Sequence, residues 1–549
     1  KNINNRYVAT IAHCYHVPTM PWKSVQLAIG VGGLAVVALW SGRKFVFGNK
    51  KTKKTPKPTA WKLLWARTLG RNSFLLCNVR IPIAVVPSLL KQDEMKLTVD
   101  QEGLVECNIL IKSGTISAVS FVHDDLSSNL VPTVNCYGSI VIPCFSDAHT
   151  HLCKTQTVPR NRNFTGTMGE ALAAEACDQP RWAADGHVYR LMDFAAKCAL
   201  HHGTRAIRTH LDGCASPENT AVQDAVYQAF DDIRDKYYPD LIVQGVANLY
   251  LPLWLTELAK PHADRAASHA NVVLGAYVGN TSTTPKDETV QAMDALFAHA
   301  KRLSMDVDMH IDESNDPHCC ALLALCESLA NARQGGYQGK VLLGHCCALS
   351  LQEKKTQQYI CKELAALQAY VVSNPFTNLG LQDRRGPMPP HGTVIPADIA
   401  RTPQWRGLTL LQELRDAGVT VASASDNVRD HWYSYGDFDM LSVWAHGQAL
   451  GHLDTAPSEG YWADICTDAP AKAMGLDFSL SPGKPADLVM FPSARRASEL
   501  FARPQVDRLV LRRGKIQSTT LPEFSELDDL VAENTKRALP ENFFSQSAT

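Results

Sequence analysis

The sequence lacks an excess of either charge, and its cysteines lack any regular spacing. Its 54 lysine and arginine residues nearly balance 55 aspartate and glutamate residues, so the formal net charge is −1. Without a basic excess the chain has no long-range attraction for nucleic acid, which is therefore excluded as an expected partner. None of the 16 cysteines belongs to a CxxC pair. This absence argues against a zinc ribbon or a disulfide framework and favours free thiols in a reducing compartment.

Charge is absent altogether from one early stretch, about residues 24–42. Its length is close to the ~20 residues that a membrane-spanning helix needs. Trp22 and Trp40 flank its apolar centre, as indoles do at a membrane interface. The basic cluster follows the apolar run, which is typical of an anchor rather than of a cleaved signal peptide. We therefore expect residues 1–71 to form an N-terminal arm with a transmembrane helix and a basic linker; a buried or docking helix is the alternative.

The positive-inside rule places the chain after this helix on the cytoplasmic or matrix side of a membrane. We predict a mitochondrial inner-membrane location with the bulk of the chain in the matrix, lipid contact through the N-terminal helix, and other subunits of a membrane complex as partners. The sequence assigns no function to the C-terminal arm, residues 521–549.

Short apolar or β-branched runs alternate with helix-like segments between residues 140 and 430, as expected of parallel strands joined by helical crossovers. Eight such runs predict a closed (β/α)8 barrel of the TIM type, here residues 140–479. The runs are IVIPCFSDAH from Ile140, TRAIRTH from Thr204, DLIVQGV from Asp240, NVVLGAY from Asn271, DVDMHID from Asp306, KVLLGH from Lys340, AYVVSNP from Ala369 and VTVASASD from Val419.

The stretches on either side of this barrel alternate in the manner of sheet. They include KSGTISAVSF within residues 72–139 and RLVLRRGKIQS within residues 480–520. Period-two alternation is typical of strands with one buried face. We expect both stretches to build one small β-sandwich beside the barrel. The predicted (β/α)8 barrel makes the fold class α/β.

Ionisable side chains stand where the predicted barrel strands end. They are His149 and His151 after the first strand, His310 and Glu313 after the fifth, His345 after the sixth and Asp426 after the eighth. In a (β/α)8 barrel the carboxyl ends of all strands meet at one mouth, where active sites lie. The sequence therefore predicts that these side chains share one site.

His149 and His151 are separated by one residue, so they point the same way from an extended chain end. With His310 and Asp426 they form a nitrogen and oxygen ligand set that suits one zinc or ferrous ion and leaves a position for water. Such an ion lowers the pKa of bound water from about 15.7 toward ~7. The sequence therefore predicts a hydrolase that works through a metal-bound hydroxide.

The remaining polar residues at the mouth suggest how protons move. Glu313 is close enough in sequence to His310 to act as the general acid and base. His345 is placed to hold the attacking hydroxide or to polarise the substrate, and Asp426 can be both a ligand and the first proton acceptor. His210, which ends RTHLD after the second strand, is either a wall of the site or a satisfied strand-end histidine.

With these residues assembled, the chain resembles cytosine deaminase and its relatives in the amidohydrolase superfamily over about residues 72–518. The motifs that carry the resemblance are HTHLCKTQT, GTRAIRTHLD, DLIVQGVANL, DVDMHIDES, VVSNPFTNLGLQDR, ASDNVRDHWYSYGDFDML and GKPADLVMF. The resemblance implies a barrel with a β-sandwich and a mononuclear iron or zinc site. Its ligands would be His149, His151, His310 and Asp426, with Glu313 and His345 serving the hydrolytic water.

The chain departs from bacterial cytosine deaminases around the substrate. Those enzymes carry a Phe-Pro-Gln run whose glutamine binds the pyrimidine, whereas residues 248–250 here are Asn-Leu-Tyr. The family's usual second aspartate after the metal aspartate is Asn427, and its usual aspartate after HxHL is Cys153. These departures make cytosine itself a poor expectation. The candidate substrate-binding residues are Tyr250, Asn427, Trp432 and His210.

Two functions remain after these observations. The first is a membrane-anchored deaminase or cyclic amidohydrolase that cleaves a C–N bond of a small nitrogenous ring, supported by the intact ligand set. The second is an enzyme-derived structural subunit of a membrane complex, supported by the anchor, the arms and the altered pocket. A nucleic-acid editing deaminase is excluded, because the H-x-E and PCxxC signature of those zinc enzymes is absent.

Overall fold

The structure is a computed structural model that describes residues 71–93, 95–122, 131–213, 219–384, 402–455 and 459–531. The apolar stretch predicted to span a membrane lies outside these residues. Within them, no helix has both the length and the apolar character needed to cross a membrane. All cysteines in the described ranges are free, and most are buried.

Sixteen strands lie within the described ranges. In chain order they are β1 Phe74–Pro82, β2 Leu104–Lys112, β3 Thr115–Phe121, β4 Thr133–Asn135, β5 Ile140–Pro143, β6 Phe145–Thr150, β7 Thr204–His210, β8 Ile242–Tyr250, β9 Val272–Tyr277, β10 Val307–Ile311, β11 Val341–His345, β12 Tyr370–Ser373, β13 Thr420–Ser423, β14 Leu488–Phe491, β15 Leu509–Arg512 and β16 Lys515–Ile516.

The α-helices of the described residues mostly connect these strands. They are Ser88–Lys91, Met168–Asp178, His187–His202, Thr220–Tyr237, Ala259–Ser268, Lys286–Leu303, Ala321–Gln334, Lys354–Ala366, Pro375–Leu381, Leu411–Asp416, Met440–Leu450, Asp468–Ala473, Ala497–Phe501 and Asp528–Val531.

The strands β6 to β13 form one parallel sheet in sequence order, which confirms the predicted eight-stranded barrel. A bridge between Thr150 and Asp426 links the first strand to the end of the last, and the Asp426 amide donates to the His149 carbonyl at 2.9 Å. The strands are apolar because both of their faces are covered, by helices outside and by side chains within. All carboxyl ends therefore point toward one mouth.

The helix Lys286–Leu303 illustrates why the crossover segments fold as they do. Pro285 precedes its first turn, Asp287 and Glu288 lie in that turn, and Lys301 and Arg302 lie in the last turn. Acidic residues near the amino end and basic residues near the carboxyl end oppose the charges of the helix dipole. Its apolar side, which includes Met293 and Phe297, is buried in the core.

The second sheet differs from the prediction in two respects. It is one sheet in the order β16-β15-β14-β5-β1-β2-β3, with β4 beside β1, rather than a sandwich of two sheets. It also takes Ile140–Pro143, which the sequence had assigned to the first barrel strand. That segment pairs with β14 and β1, and the barrel starts at Phe145. The apolar run IVIPCF looks continuous because both of its parts are buried.

Candidate active site

Three imidazoles and one carboxylate converge where β6, β10 and β13 end. The Nε2 atom of His310 lies 3.2 Å from that of His149 and 3.3 Å from that of His151. The Oδ1 atom of Asp426 lies 3.3 Å from His151 Nε2 and 3.6 Å from His149 Nε2. All four side chains are buried. The four residues that the sequence proposed as ligands therefore face one common centre.

This group has the properties of a site for one divalent cation. Its ligand atoms all lie within 4.8 Å of one another. Both carboxylate oxygens of Asp426 are buried without a hydrogen-bond partner. A buried carboxylate without partners is costly, and a cation held at the centre removes that cost. The 3.2 to 3.6 Å separations also suit nitrogen and oxygen ligands placed ~2.0 to 2.2 Å from one ion.

The backbone around the group is shaped to bring the ligands together. Gly344 lies beside His149, where an added Cβ would come within 2.6 Å of the imidazole, so the residue must be glycine. His345 and Asp426 both adopt left-handed conformations, with φ of 71° and 56°. Residues other than glycine rarely adopt this conformation, and such strain is concentrated at functional sites.

Two of the imidazoles contact a further side chain through the nitrogen that faces away from the common centre. The Nδ1 atom of His151 donates to Asp212 Oδ2 at 2.8 Å, and His149 Nδ1 lies 3.2 Å from His210 Nε2. Burial and the neighbouring His310 keep the pKa of His210 well below its ordinary value, so His210 is neutral and can accept this hydrogen bond. Partners of this kind fix which nitrogen of a histidine faces a metal.

Glu313 and His345 reach the same centre from the ends of β10 and β11. His345 Nδ1 lies 3.3 Å from Glu313 Oε1 and 3.9 Å from Asp426 Oδ2. Burial, together with the Asp426 carboxylate, raises the pKa of Glu313 well above its usual value. Burial lowers the pKa of His345 to about 4. Amide groups lie beside both ring nitrogens of the neutral imidazole, with Asn378 Nδ2 at 2.9 Å from Nδ1 and Asn374 Nδ2 at 3.3 Å from Nε2.

His151, His310 and Asp426 line a cavity of about 560 Å³, a volume ordinary for a small-molecule site. Its walls combine apolar, aromatic and charged side chains. They are His151, Lys154, Leu172, Glu175, Gln179, Asp212, Gly213, Asn248, Leu249, Tyr250, Tyr277, His310, Glu313, His345, Asp426, Asn427 and Trp432.

Comparison with known proteins agrees with this geometry. Residues 250–517 match the model of the family described as amidohydrolase family. The pterin deaminase of Rhizobium rhizogenes is 32% identical over 465 residues, which cover 83% of this chain and 97% of that protein. The chain belongs to the amidohydrolase family. It lies in the deaminase-like branch, and it is an enzyme that hydrolyses C–N bonds other than peptide bonds.

Solved structures share the amidohydrolase fold. The 5-methylcytosine deaminase of Klebsiella pneumoniae aligns with a TM-score of 0.63 at 22% identity, over 82% of this chain and 98% of that one. The N-isopropylammelide isopropylaminohydrolase of Burkholderia multivorans aligns with a TM-score of 0.59 at 23% identity, over 81% of this chain and 97% of that one. These likenesses concern the fold of the barrel and its flanking sheet.

The structure places most of the predicted substrate-binding residues of this amidohydrolase on the cavity. Tyr250, Asn427 and Trp432 line it. His210 does not, because it ends β7 with its ring directed into the barrel behind His149. The sequence left this alternative open, and the contact with a ligand imidazole explains why a histidine stands there.

Sequence reasoning missed a charged network on one wall of the cavity. Lys154 Nζ lies 2.9 Å from Glu175 Oε2 and 3.4 Å from Asp212 Oδ2, and Glu175 Oε2 also accepts from the Trp432 indole at 2.9 Å. Burial alone would lower the pKa of Lys154. The carboxylates of Asp212 and Glu175 raise it by more than burial lowers it, so the lysine is charged. Two signals were available, the lysine three residues after His151 and the aspartate two residues after His210.

Replacing Asp212 by asparagine tests the support of His151. We expect metal affinity or activity to fall by ~10- to 100-fold, the usual cost of losing a carboxylate behind a ligand histidine. The reason is that an amide holds the Nδ1 proton less firmly and makes Nε2 a weaker ligand. Metal titration of the purified variant measures the effect. Asp224→Asn, an exposed aspartate that pairs with Arg265, is the matched control and should bind metal normally.

Proposed function

We propose that this amidohydrolase is a metal-dependent deaminase of an amino-substituted nitrogen heterocycle, with a pterin as its substrate. The observation that carries the reaction type is the convergence of four ligand atoms with the Glu313 carboxyl at one cavity. Support for the ring comes from the pterin deaminase that shares nearly its whole length with this chain. In the proposed reaction water replaces a ring amino group, so that one C–N bond breaks, one C–O bond forms and ammonia leaves.

The proposed cofactor is one zinc or ferrous ion held by His149, His151, His310 and Asp426. Imidazole and carboxylate are ligands that both ions accept. An ion bound there supplies Lewis acidity, which brings the pKa of water down toward ~7.

Glu313 is the residue that we assign to proton transfer. Its carboxyl lies at the cavity wall with Oε1 buried and without a hydrogen-bond partner, so it is free to meet substrate. Burial raises its pKa well above that of an exposed glutamate, which favours proton uptake by this carboxyl, as a general acid and base requires. We propose that Glu313 takes the proton of the attacking water and delivers it to the ring or to the departing amino group.

His345 complements Glu313 as a neutral hydrogen-bond donor. Its neutral ring carries one N–H, and we assign that N–H to stabilising negative charge that develops on oxygen in the transition state. Asp426, whose carboxylate lies 3.9 Å from His345, can receive a proton from water before Glu313 does. We therefore assign His345 to electrostatic stabilisation and Asp426 to both metal binding and proton acceptance.

We assign other side chains of the cavity wall to binding the rest of the pterin ring system. Trp432 supplies an aromatic face, oriented by its hydrogen bond to Glu175. Tyr250 is half-exposed at the mouth, and its ring centroid lies 6.1 Å from that of Tyr277. Asn427 is held by its amide, which donates to Asp430 at 2.9 Å. A cavity of about 560 Å³ has room for a fused two-ring substrate.

Ammonia release from a panel of substrates tests this proposal. The purified protein, loaded with zinc or with ferrous iron, is offered pterin, 5-methylcytosine and cytosine, each of which carries a ring amino group that can leave as ammonia. We expect pterin to give the highest kcat/KM and to be converted to the 2,4-dioxo ring, seen as a change in ultraviolet absorption. A protein that binds metal in the described site but releases ammonia from none of the panel would contradict the proposal.

Removing the metal is expected to abolish activity reversibly. Chelation followed by dialysis should lower kcat by several orders of magnitude, because Lewis acidity is then lost. One equivalent of zinc or iron per chain should restore it, measured by ammonia release against metal content. Activity that survives complete removal of metal would overturn the role given to the four ligands.

The structural-subunit alternative gains no support from the described residues or from the comparisons. Attachment to the mitochondrial inner membrane through residues 24–42, with neighbouring subunits, stays a prediction. Fractionation of cells that express the full chain, with and without those residues, tests it: loss of the stretch should release the protein from the membrane fraction.

A further inference from the structure

The sequence assigned no function to the C-terminal arm, but its described part, residues 521–531, packs on the barrel near the active site. We call residues 521–530 the strap. Its Leu527 is buried, and Arg190 on the helix His187–His202 donates to both carboxylate oxygens of Asp529 at 2.6 and 2.8 Å. Arg190 also donates to the Glu526 carbonyl at 2.7 Å. The strap is therefore fixed along one barrel helix.

From that helix the strap contacts the loop that follows β13, residues 424–433, which carries Asp426. The guanidinium of Arg429 lies 4.3 Å from the ring centroid of Phe524, and the Phe524 ring stacks on Phe194 at 5.9 Å. Arg429 Nε in turn donates to Gln156 Oε1 at 2.7 Å. Gln156 lies in the loop that follows β6, residues 151–167, which carries His151 and Lys154. One face of Phe524 thus covers the junction of these two loops.

The other end of the strap reaches a buried ion pair. Arg160, in the loop after β6, donates to the Leu530 carbonyl at 2.8 Å and to both oxygens of Asp178 at 2.8 and 2.6 Å. Asp178 ends the helix Met168–Asp178, whose Glu175 holds Lys154 and Trp432 in the cavity wall. Without the strap, Arg160 would lose one of its acceptors and water would reach the Arg160–Asp178 pair.

We propose that the strap is a positioning element, which holds the loops after β6 and β13 so that the substrate-facing wall of the active site keeps its shape. The metal ligands depend less on it, because His149 and His310 lie within β6 and β10, while His151 and Asp426 lie only one and three residues beyond the ends of β6 and β13. Lys154, Glu175 and Trp432 depend on it more, because they stand on the two loops and on the helix Met168–Asp178. Loss of the strap therefore impairs substrate binding more than metal binding.

Hydrogen exchange of the metal-loaded protein tests the proposal without any substrate. In a chain that ends at residue 520, exchange in residues 151–167 and 424–433 should be roughly tenfold faster or more, because local opening becomes easier. Exchange in the helix Ala321–Gln334, on another side of the barrel, should not change. Phe524→Ala should accelerate the same two loops to a smaller extent, and Phe524→Trp, which keeps an aromatic face for Arg429, should restore them.

Kinetics provide the second measurement and rest on the proposed function. For Phe524→Ala we expect KM for pterin to rise roughly tenfold, with kcat and metal content nearly unchanged. This effect is smaller than the ~100-fold loss of activity that a misplacement of about 1 Å can cause. Tyr359→Ala, which changes a similarly exposed aromatic residue on the helix Lys354–Ala366, is the matched control.

Unchanged exchange in both loops of the shortened chain, or a uniform increase throughout the protein, would overturn the proposal. A wild-type protein without deaminase activity would count against the proposed function only, because the exchange comparison still decides the role of the strap.

Discussion

Glu313→Gln is expected to lower kcat by roughly 10²- to 10⁴-fold, the range that a positioned general acid and base contributes. Glutamine keeps the shape of the side chain but cannot take up and return a proton. Metal content should match wild type, because Glu313 is not among the four ligand atoms that converge at 3.2 to 3.6 Å. Ammonia release under saturating pterin, together with metal analysis, measures both quantities.

Stability provides an internal check on this variant. Glu313 Oε1 is buried without a hydrogen-bond partner, and burial of its charge is unfavourable. Replacing it by a neutral amide should leave the thermal midpoint unchanged or slightly higher, so a fall in kcat will not reflect unfolding. Glu327→Gln, at an exposed glutamate that pairs with Lys286, is the matched control and should retain full activity. A Glu313→Gln enzyme with kcat within tenfold of wild type would remove Glu313 from the proton path.

The barrel could be predicted from the sequence because its strands are buried on both faces. Such strands appear as short continuous apolar runs, as in VVLGAY at β9 and VLLGH at β11. The metal site could be predicted for the same reason. A histidine or an aspartate that interrupts an apolar run near the carboxyl end of a strand has a restricted set of positions, and the barrel brings those positions together.

The remaining features depend on pairings that no local pattern specifies. The assignment of Ile140–Pro143 to the flanking sheet is decided by pairing with β14, from the far side of the barrel. Glu175 lies on an ordinary helix, and only the folded chain brings it to Lys154. His210 is a strand-end histidine like the ligands, and its place behind His149 depends on the direction of the β7 side chains. These three features therefore depend on contacts between residues far apart in the sequence, which no local pattern predicts.

Asp426→Asn is expected to have the other large effect, a loss of activity greater than the ~10- to 100-fold expected for a carboxylate behind a ligand. Asp426 is the sole anionic member of the four-residue group in the described residues, and it is also assigned to proton acceptance. An asparagine amide is neutral, so it attracts a divalent cation less strongly and accepts no proton. Zinc titration and ammonia release on the same preparation separate the two roles.

The thermal stability of this variant should respond to metal far less than that of the wild type. A ligand that binds only the folded state stabilises by RT ln(1 + [L]/Kd), which is about 2.7 kcal/mol at a metal concentration of about 100 Kd. If Asp426→Asn weakens Kd about 100-fold, the same metal concentration contributes only about 0.4 kcal/mol. Asp437→Asn, which changes an aspartate paired with His202 away from the cavity, should keep the full metal-dependent stabilisation. An Asp426→Asn protein with an undiminished response to metal would show that the cation binds elsewhere.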